Sequence, residues 1–437
     1  MQRSKMTQLE AWRTRPDRKP LIIRGARQVG KTWLMREFGR LHYPKVAYIN
    51  FDNNRPLADV FAGDFNLPRI ISALSIEAGF KVTPEDTLLI LDEIQEAPQA
   101  LTSLKYFHEN LPEQHLLAAG SLLGVALHPE TSFPVGKVEF LNLYPLSFAE
   151  FLIACGKKSL HEALVDCDFP LITAYRNRYM DALKQYYFVG GMPEAVLTYI
   201  QSNDYAKTRR VQQQLLQAYS LDFSKHVPRG VLPRLMMLWE AIPVQLAKEN
   251  RKFVYSHIQK GARAREFETA MQWLVDCGLV HKVFRVAKPS VPLVGYQDSS
   301  AFKLYTLDIG LLAAQSDLDV KTLLQGNAVF EEYKGALTEQ YVLQQLIADA
   351  EITPFYWTAE ASTGEVDFLF QERGQVVPLE VKAAENLKAK SLRQYHERYS
   401  PQLTLRCSLS DFRDDGWVTN LPLYALPALR ELLKRRS

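Results

Sequence analysis

The chain has 437 residues, 47% of them hydrophobic and 23% charged, with a formal net charge of +3. That length exceeds one hydrophobic core and sets an expectation of two to four domains, while the composition excludes a disordered, collagen-like or disulfide-dense chain. No apolar run is long enough to span a bilayer, and no apolar core of a secretory signal follows Met1 to Lys5, so a cytoplasmic protein without a membrane partner is expected. Cys155, Cys167, Cys277 and Cys407 are scattered, with no CxxC and no histidine at ligand spacing, and read as thiols of a reducing compartment. Residues 1–150 carry 17 basic and 17 acidic side chains, 151–325 carry 22 and 16, and 326–437 carry 13 and 16. The basic excess of the middle region suits a polyanion-facing surface or a solvated charged face about equally.

The first third alternates apolar runs, at 20–24, 45–51, 87–91, 116–119 and 138–143, with helical or loop stretches. That order predicts an α/β fold with a parallel sheet covered by helices on both faces. Directly after the first run, Gly25-Ala26-Arg27-Gln28-Val29-Gly30-Lys31-Thr32 fits GxxxxGKT. A strand, a glycine-bearing turn and a helix aim backbone N–H groups and a helix N-terminus at one spot, which suits a polyphosphate. Lys31 would reach the outer phosphates and Thr32 would hold Mg²⁺. In Thr87–Glu93, four apolar residues run into two carboxylates, a Walker B pattern. Asp92 would bind Mg²⁺ through water and Glu93 would polarise the attacking water. The run His115–Ala119 leads to Gly120 and Ser121, whose hydroxyl fits either a contact to the γ-phosphate or attacking water, or a plain helix N-cap.

Four stretches, RGARQVGKT at 24–32, LLILDEIQ at 88–95, AAGS at 118–121 and YPLSFAEF at 144–151, resemble the AAA-type ATP-binding proteins of bacteria and archaea that carry a C-terminal domain of unknown function. The resemblance runs over nearly the whole chain. It implies a P-loop ATPase core over 1–150 with ATP and Mg²⁺ as cofactors. It also implies a Gly-Arg pair ahead of PLSF, which here reads Gly136-Lys137; a lysine keeps the charge of an arginine finger but loses its planar fork, and Lys137 is the catalytic candidate at that place.

Residues 151–225 read as a helical lid or connector, with Leu171–Phe188 as one amphipathic run, Gly190-Gly191 as a break and Pro193 as the next start. Residues 226–325 have the outline of a winged helix: a short helix from Ser256, a second over Arg263–Asp276, and a hairpin of Leu279–Val286 with Ala301–Thr306. Arg263, Arg265, Lys282, Arg285 and Lys288 would face DNA, or the segment is a packing module.

Beyond 326 a helix leads to Glu365–Phe370, a turn, and Val376–Lys382. With Arg373-Gly374 as a two-residue turn, facing residues have numbers that sum to 747, so Asp367 faces Glu380 and Glu365 faces Lys382. Val366, Phe368, Phe370, Val377, Leu379 and Val381 then share a buried face, and the four charged residues share the other. Two carboxylates opposed across a ladder at roughly 5 Å repel unless a cation lies between them. Asp367 followed by Glu380-x-Lys382 resembles the core of restriction-endonuclease-like nucleases, which implies Mg²⁺ on Asp367 and Glu380, a further carboxylate from the upstream helix, here Glu339, and Lys382 steadying the transition state. The plain alternative is a surface hairpin with cross-strand salt bridges. The whole predicts an ATP-hydrolysing switch that controls a winged helix and a nuclease-like domain acting on DNA; the alternative is an ATP-binding regulator or scaffold whose C-terminal domain grips a protein partner or a second copy.

Overall fold

The computed structural model describes residues 1–52, 54–120, 134–246, 252–325, 331–359, 364–385 and 389–436. The chain divides into a smaller unit, Gln2–Tyr144 with Asp276–Gly278, and a larger one, Pro145–Val275 and Leu279–Ser437 with Met1.

In the smaller unit the described strands are β1 (Leu21–Arg24), β2 (Lys45–Asn50), β3 (Thr87–Asp92), β4 (Leu116–Ala119) and β5 (Glu139–Asn142), and they match the five apolar runs of the sequence. Every pairing is parallel, in the order β2-β3-β4-β1-β5. β3 is buried along its whole length, as an unbroken apolar run in a parallel sheet must be. Alternation then divides the side chains. Ile22, Ala47, Ile49, Leu89, Leu91 and Ala118 pack with Phe61, Ile70, Leu74, Leu101, Leu104 and Phe107 from the helices Arg55–Ala62, Leu67–Ala78 and Pro98–Asn110. The other face carries the helix Lys31–His42, whose Leu34, Met35 and Phe38 are fully buried. β1 is flanked by β4 and β5, so the loop that follows it opens at the carboxyl edge of the sheet, where open parallel sheets take ligands.

The larger unit begins with a capping box: Ser147 Oγ accepts from the N–H of Glu150, whose carboxylate accepts from the N–H of Ser147. The expected helix over 171–188 is two, Phe169–Ala174 and Arg176–Val189, meeting at Tyr175. Gly190 ends the second at φ +71°, where an added Cβ would lie 2.2 Å from Asp308 Oδ1; one on Gly191 would lie 2.1 Å from the Leu146 carbonyl oxygen. This turn is locked by a buried carboxylate. Asp308 accepts from the N–H groups of Gly191 (2.6 Å) and Leu311 (3.0 Å) and from Gln344 Nε2 (3.0 Å). Even with these donors, burial holds its pKa above the usual aspartate value.

The remaining described strands are β6 (Val280–Val286), β7 (Gln297–Thr306), β8 (Phe355–Thr358), β9 (Glu365–Glu372), β10 (Gln375–Val381), β11 (Leu405–Ser408), β12 (Arg413–Asp414) and β13 (Thr419–Pro422). They form one sheet in the order β12-β13-β11-β10-β9-β8-β6-β7. The hairpin expected of a winged helix and the hairpin expected of a separate endonuclease-like domain therefore lie in the same sheet, joined where β6 runs parallel to β8 (Arg285↔Tyr356, Val286↔Trp357).

Candidate functional site

Between β1 and the helix Lys31–His42 the chain turns through Gly25 at φ +150°, Gln28 at +65° and Gly30 at +97°. A Cβ on Gly25 would meet the Leu143 carbonyl oxygen at 2.1 Å, so the close approach of loop to backbone demands glycine. Gly30 stands at the N-cap and presents no side chain to the first-turn N–H groups, which keeps that helix end suited to an anion. Lys31 lies back along the loop: its Nζ donates to the carbonyls of Gly25 and Ala26, both at 2.9 Å, and it is 6% exposed. Burial lowers its pKa to about 8, opposed by the nearby carboxylates of Glu93 and Asp92.

Thr32 Oγ1 donates to Asp92 Oδ2 at 2.7 Å, and the Tyr48 hydroxyl donates to the same oxygen at 2.9 Å. The other carboxylate oxygen accepts from the Glu93 N–H at 3.1 Å. Glu93 sits at φ +50°, and Gln95 Nε2 donates to its Oε2 at 2.5 Å. A hydroxyl and a carboxylate in contact are hard oxygen donors of the kind Mg²⁺ takes, and glycine-lined backbone beside a lysine fits phosphate; the residues present fit MgATP. Tyr48 and Gln95 went unread in the sequence. Tyr48 had no signal beyond its place on the strand beside β3, whereas Gln95 stood two residues past the acidic pair.

Ser121 lies outside the described residues. Lys137 does not serve the phosphate loop of its own chain. It precedes β5, which runs parallel to β1 from Leu21↔Glu139, so it lies at the end of the sheet opposite the loop; its Nζ pairs with Glu109 Oε1 at 2.9 Å.

In the larger unit the β9–β10 hairpin follows the expected register, from Gln375↔Glu372 to Leu379↔Phe368, and Arg373 and Gly374 both take positive φ (46° and 79°), as a two-residue hairpin turn requires. The face expected to be open is largely covered: Leu369 and Pro378 are buried, Glu380 is 5% exposed, and the Asp367 side chain is 14% exposed. Asp367 Oδ2 accepts from the Val381 N–H at 2.8 Å, and Lys382 Nζ donates to Glu380 Oε1 at 2.6 Å. Glu380 Oε2 is buried and has no hydrogen-bond partner among the described residues. Burial, then the nearby Asp367 charge, raises the Glu380 pKa to about 7.

The cation that the opposed acids demand comes from a residue the sequence reading passed over. Lys303 of β7, 1% exposed at its side chain, is ion-paired with Glu365 and lies 3.8 Å from Glu339 Oε2 and 4.0 Å from Asp367 Oδ1. Glu339 also accepts from the Tyr305 hydroxyl at 3.0 Å. Glu339 and Asp367 of the expected metal set thus lie beside an ammonium, and among the described residues no three His, Cys, Asp or Glu side chains form a group that could hold a metal ion.

Of the basic residues expected to meet DNA, Arg263 and Arg265 are exposed, while Arg285 is committed to Asp298 at 2.6 Å and Lys282 and Lys288 lie beside the rings of Phe302 and Tyr296. No helix among the described residues is long and apolar enough to cross a membrane, and none of the four cysteines is in a disulfide.

Residues 17–152 match the model of an AAA domain, and 180–322 and 334–426 match two domains of unknown function (DUF8612 and DUF4143). The first segment is thus of the AAA-type P-loop class. Among curated proteins none matches the chain. Solved structures similar to it include the Walker-type ATPase of Pyrococcus abyssi, at 14% identity and TM-score 0.44 over 71% of this chain and 94% of that one. The Aeropyrum pernix ORC1 protein in complex with DNA matches at 12% identity and TM-score 0.28, over 73% and 93% of the two chains. Drosophila ORC bound to DNA matches at 14% and 0.26, over 74% and 96%. Every TM-score is below 0.5, so nothing about partners follows from these likenesses.

Proposed function

We propose that this chain hydrolyses MgATP slowly and that its nucleotide state controls what the larger unit does. The observation that carries the reading is the contact of Thr32 with Asp92, next to a Glu93 whose carboxylate is held by Gln95. The loop N–H groups and Lys31 would hold the phosphates, Thr32 and Asp92 would hold Mg²⁺, and Glu93 would orient the attacking water; the ion would supply charge neutralisation. Replacing Glu93 by Gln keeps the shape and removes the base. Glu93→Gln is expected to bind ATP as the wild type does and to turn it over at least tenfold more slowly, read by fluorescent-nucleotide titration beside phosphate release; wild-type turnover in that variant would sink the assignment.

A second reading concerns the larger unit, where the unpartnered Glu380 oxygen favours a nuclease-like site over a binding module. The order helix Glu331–Ala348, antiparallel β8, β9 and β10, helix Lys390–Tyr399, then β11 parallel to β10 supports it. Asp367 and Glu380 would hold the ion, with Lys382 beside it and DNA reached through Arg263 and Arg265. Cleavage of single- or double-stranded DNA with Mn²⁺, with and without ATP, is expected from the wild type and not from Asp367→Asn. No cleavage in any condition would leave a regulator or scaffold that grips a protein partner or a second copy.

A further inference from the structure

The hairpin cluster holds a buried cation before any metal arrives. Lys303 reaches it from β7, while Glu365 and Asp367 stand on β9 and Glu339 on the helix Glu331–Ala348. Its ammonium is paired with Glu365 and within 4.0 Å of Glu339 and Asp367, and its side chain is 1% exposed. A lysine is rarely hidden this completely unless carboxylates compensate it. Beside it, Glu380 keeps one buried oxygen with no partner among the described residues.

We infer that Lys303 is a built-in competitor of the metal: it lies among Glu339, Glu365 and Asp367, and a divalent cation can be taken by Asp367 and Glu380 only as the ammonium moves off. The inference rests on the nuclease-like reading of this site. Its physical basis is charge. With Lys303 in place the three acids it neighbours carry a net charge of about −2, and a second cation so close to Asp367 is repelled by the first. Removing the ammonium takes away the cation nearest to those oxygens and raises their pull on an ion from solution. Replacing it by arginine keeps the charge and the block.

The test titrates Mn²⁺ into the nucleotide-free full-length chain, with bound metal read by electron paramagnetic resonance and the melting temperature followed in parallel. Lys303→Met is expected to bind Mn²⁺ at least tenfold more tightly than the wild type and to gain melting temperature with the ion, Lys303→Arg to behave as the wild type does, and Lys303→Met with Asp367→Asn to lose the gain. Equal affinity in Lys303→Met and wild type overturns the inference. So does a gain that survives Asp367→Asn, because the metal then sits elsewhere. Should Lys303→Met fail to fold, Lys303→Gln with Glu339→Gln removes one acid along with the cation and is held to the same tenfold criterion. Strong Asp367-dependent binding already present in the wild type would leave the metal site standing and remove Lys303 from it; no binding in any variant would remove both.

Discussion

Two buried lysines, one in each unit, show how differently a protein can hold a cation. Lys31 donates to two neutral carbonyls of its own loop, so its charge is only partly satisfied and burial pulls its pKa down to about 8. Lys303 is surrounded by three carboxylates. The first arrangement is incomplete until an anion comes; the second is complete, and a metal must undo it. Burial alone therefore does not mark a binding residue, whereas the formal charge of its partners does.

The comparison is sharpest if each lysine is cut away in turn. Lys303→Ala strands the largely buried acids Glu339 and Asp367 beside a partly exposed Glu365 and is expected to cost about 3–5 kcal/mol in urea unfolding, while Lys31→Ala, which takes a donor from two neutral carbonyls, should stay within about 1 kcal/mol of the wild type without nucleotide. Equal losses would erase the distinction. The order reverses for the ligand: Lys31→Ala is expected to weaken ATP binding on the order of 100-fold, about 2.7 kcal/mol, and Lys303→Ala to change it less than twofold, by equilibrium titration.

A smaller effect separates the Glu380 carboxyl from an ordinary one. Its folded pKa of about 7 lies above the unfolded value, so the folded chain keeps a proton that the unfolded chain has released between about pH 4.5 and 7. Its contribution is fully present below that window and is lost as pH rises through about 7. Glu380→Gln should flatten the fall, raising stability at pH 8 on the order of 2 kcal/mol relative to pH 4.5; an unchanged pH slope would deny the burial of charge. Least of all, Lys137→Ala breaks one half-exposed pair with Glu109 and should cost under about 0.5 kcal/mol with ATP turnover in dilute protein unchanged. A turnover loss that grows with protein concentration would point to a role in a neighbouring copy.

The smaller unit was readable because its signals are local. Five apolar runs became five strands, and GxxxxGKT and the acidic pair after β3 lie where parallel topology brings them together. The β9–β10 register was equally legible, since a two-residue turn and alternation settle which residues face each other. Alternation does not say what lies over a face. Leu369, Pro378 and Glu380 gave no sign of being covered, and Lys303, expected on the wing of another domain, gave none of serving the hairpin. The covering comes from the helix Glu331–Ala348, which packs on β7 and β10, and Lys303 arrives through the parallel join of β6 to β8, which pairs residues some seventy positions apart and leaves no periodic trace. Tyr48 likewise meets Asp92 only through the sheet.

That join also bears on how the protein can be taken apart. A fragment starting at 326 would carry Glu339, Glu365 and Asp367 but leave Lys303 behind, and with it the strand that shields one edge of β8, where Phe355, Tyr356 and Trp357 are buried. An uncovered strand edge recruits another, so such a piece would self-associate. It would also be an acidic trap for any divalent ion in the buffer, and metal found on it would be an artefact of the cut.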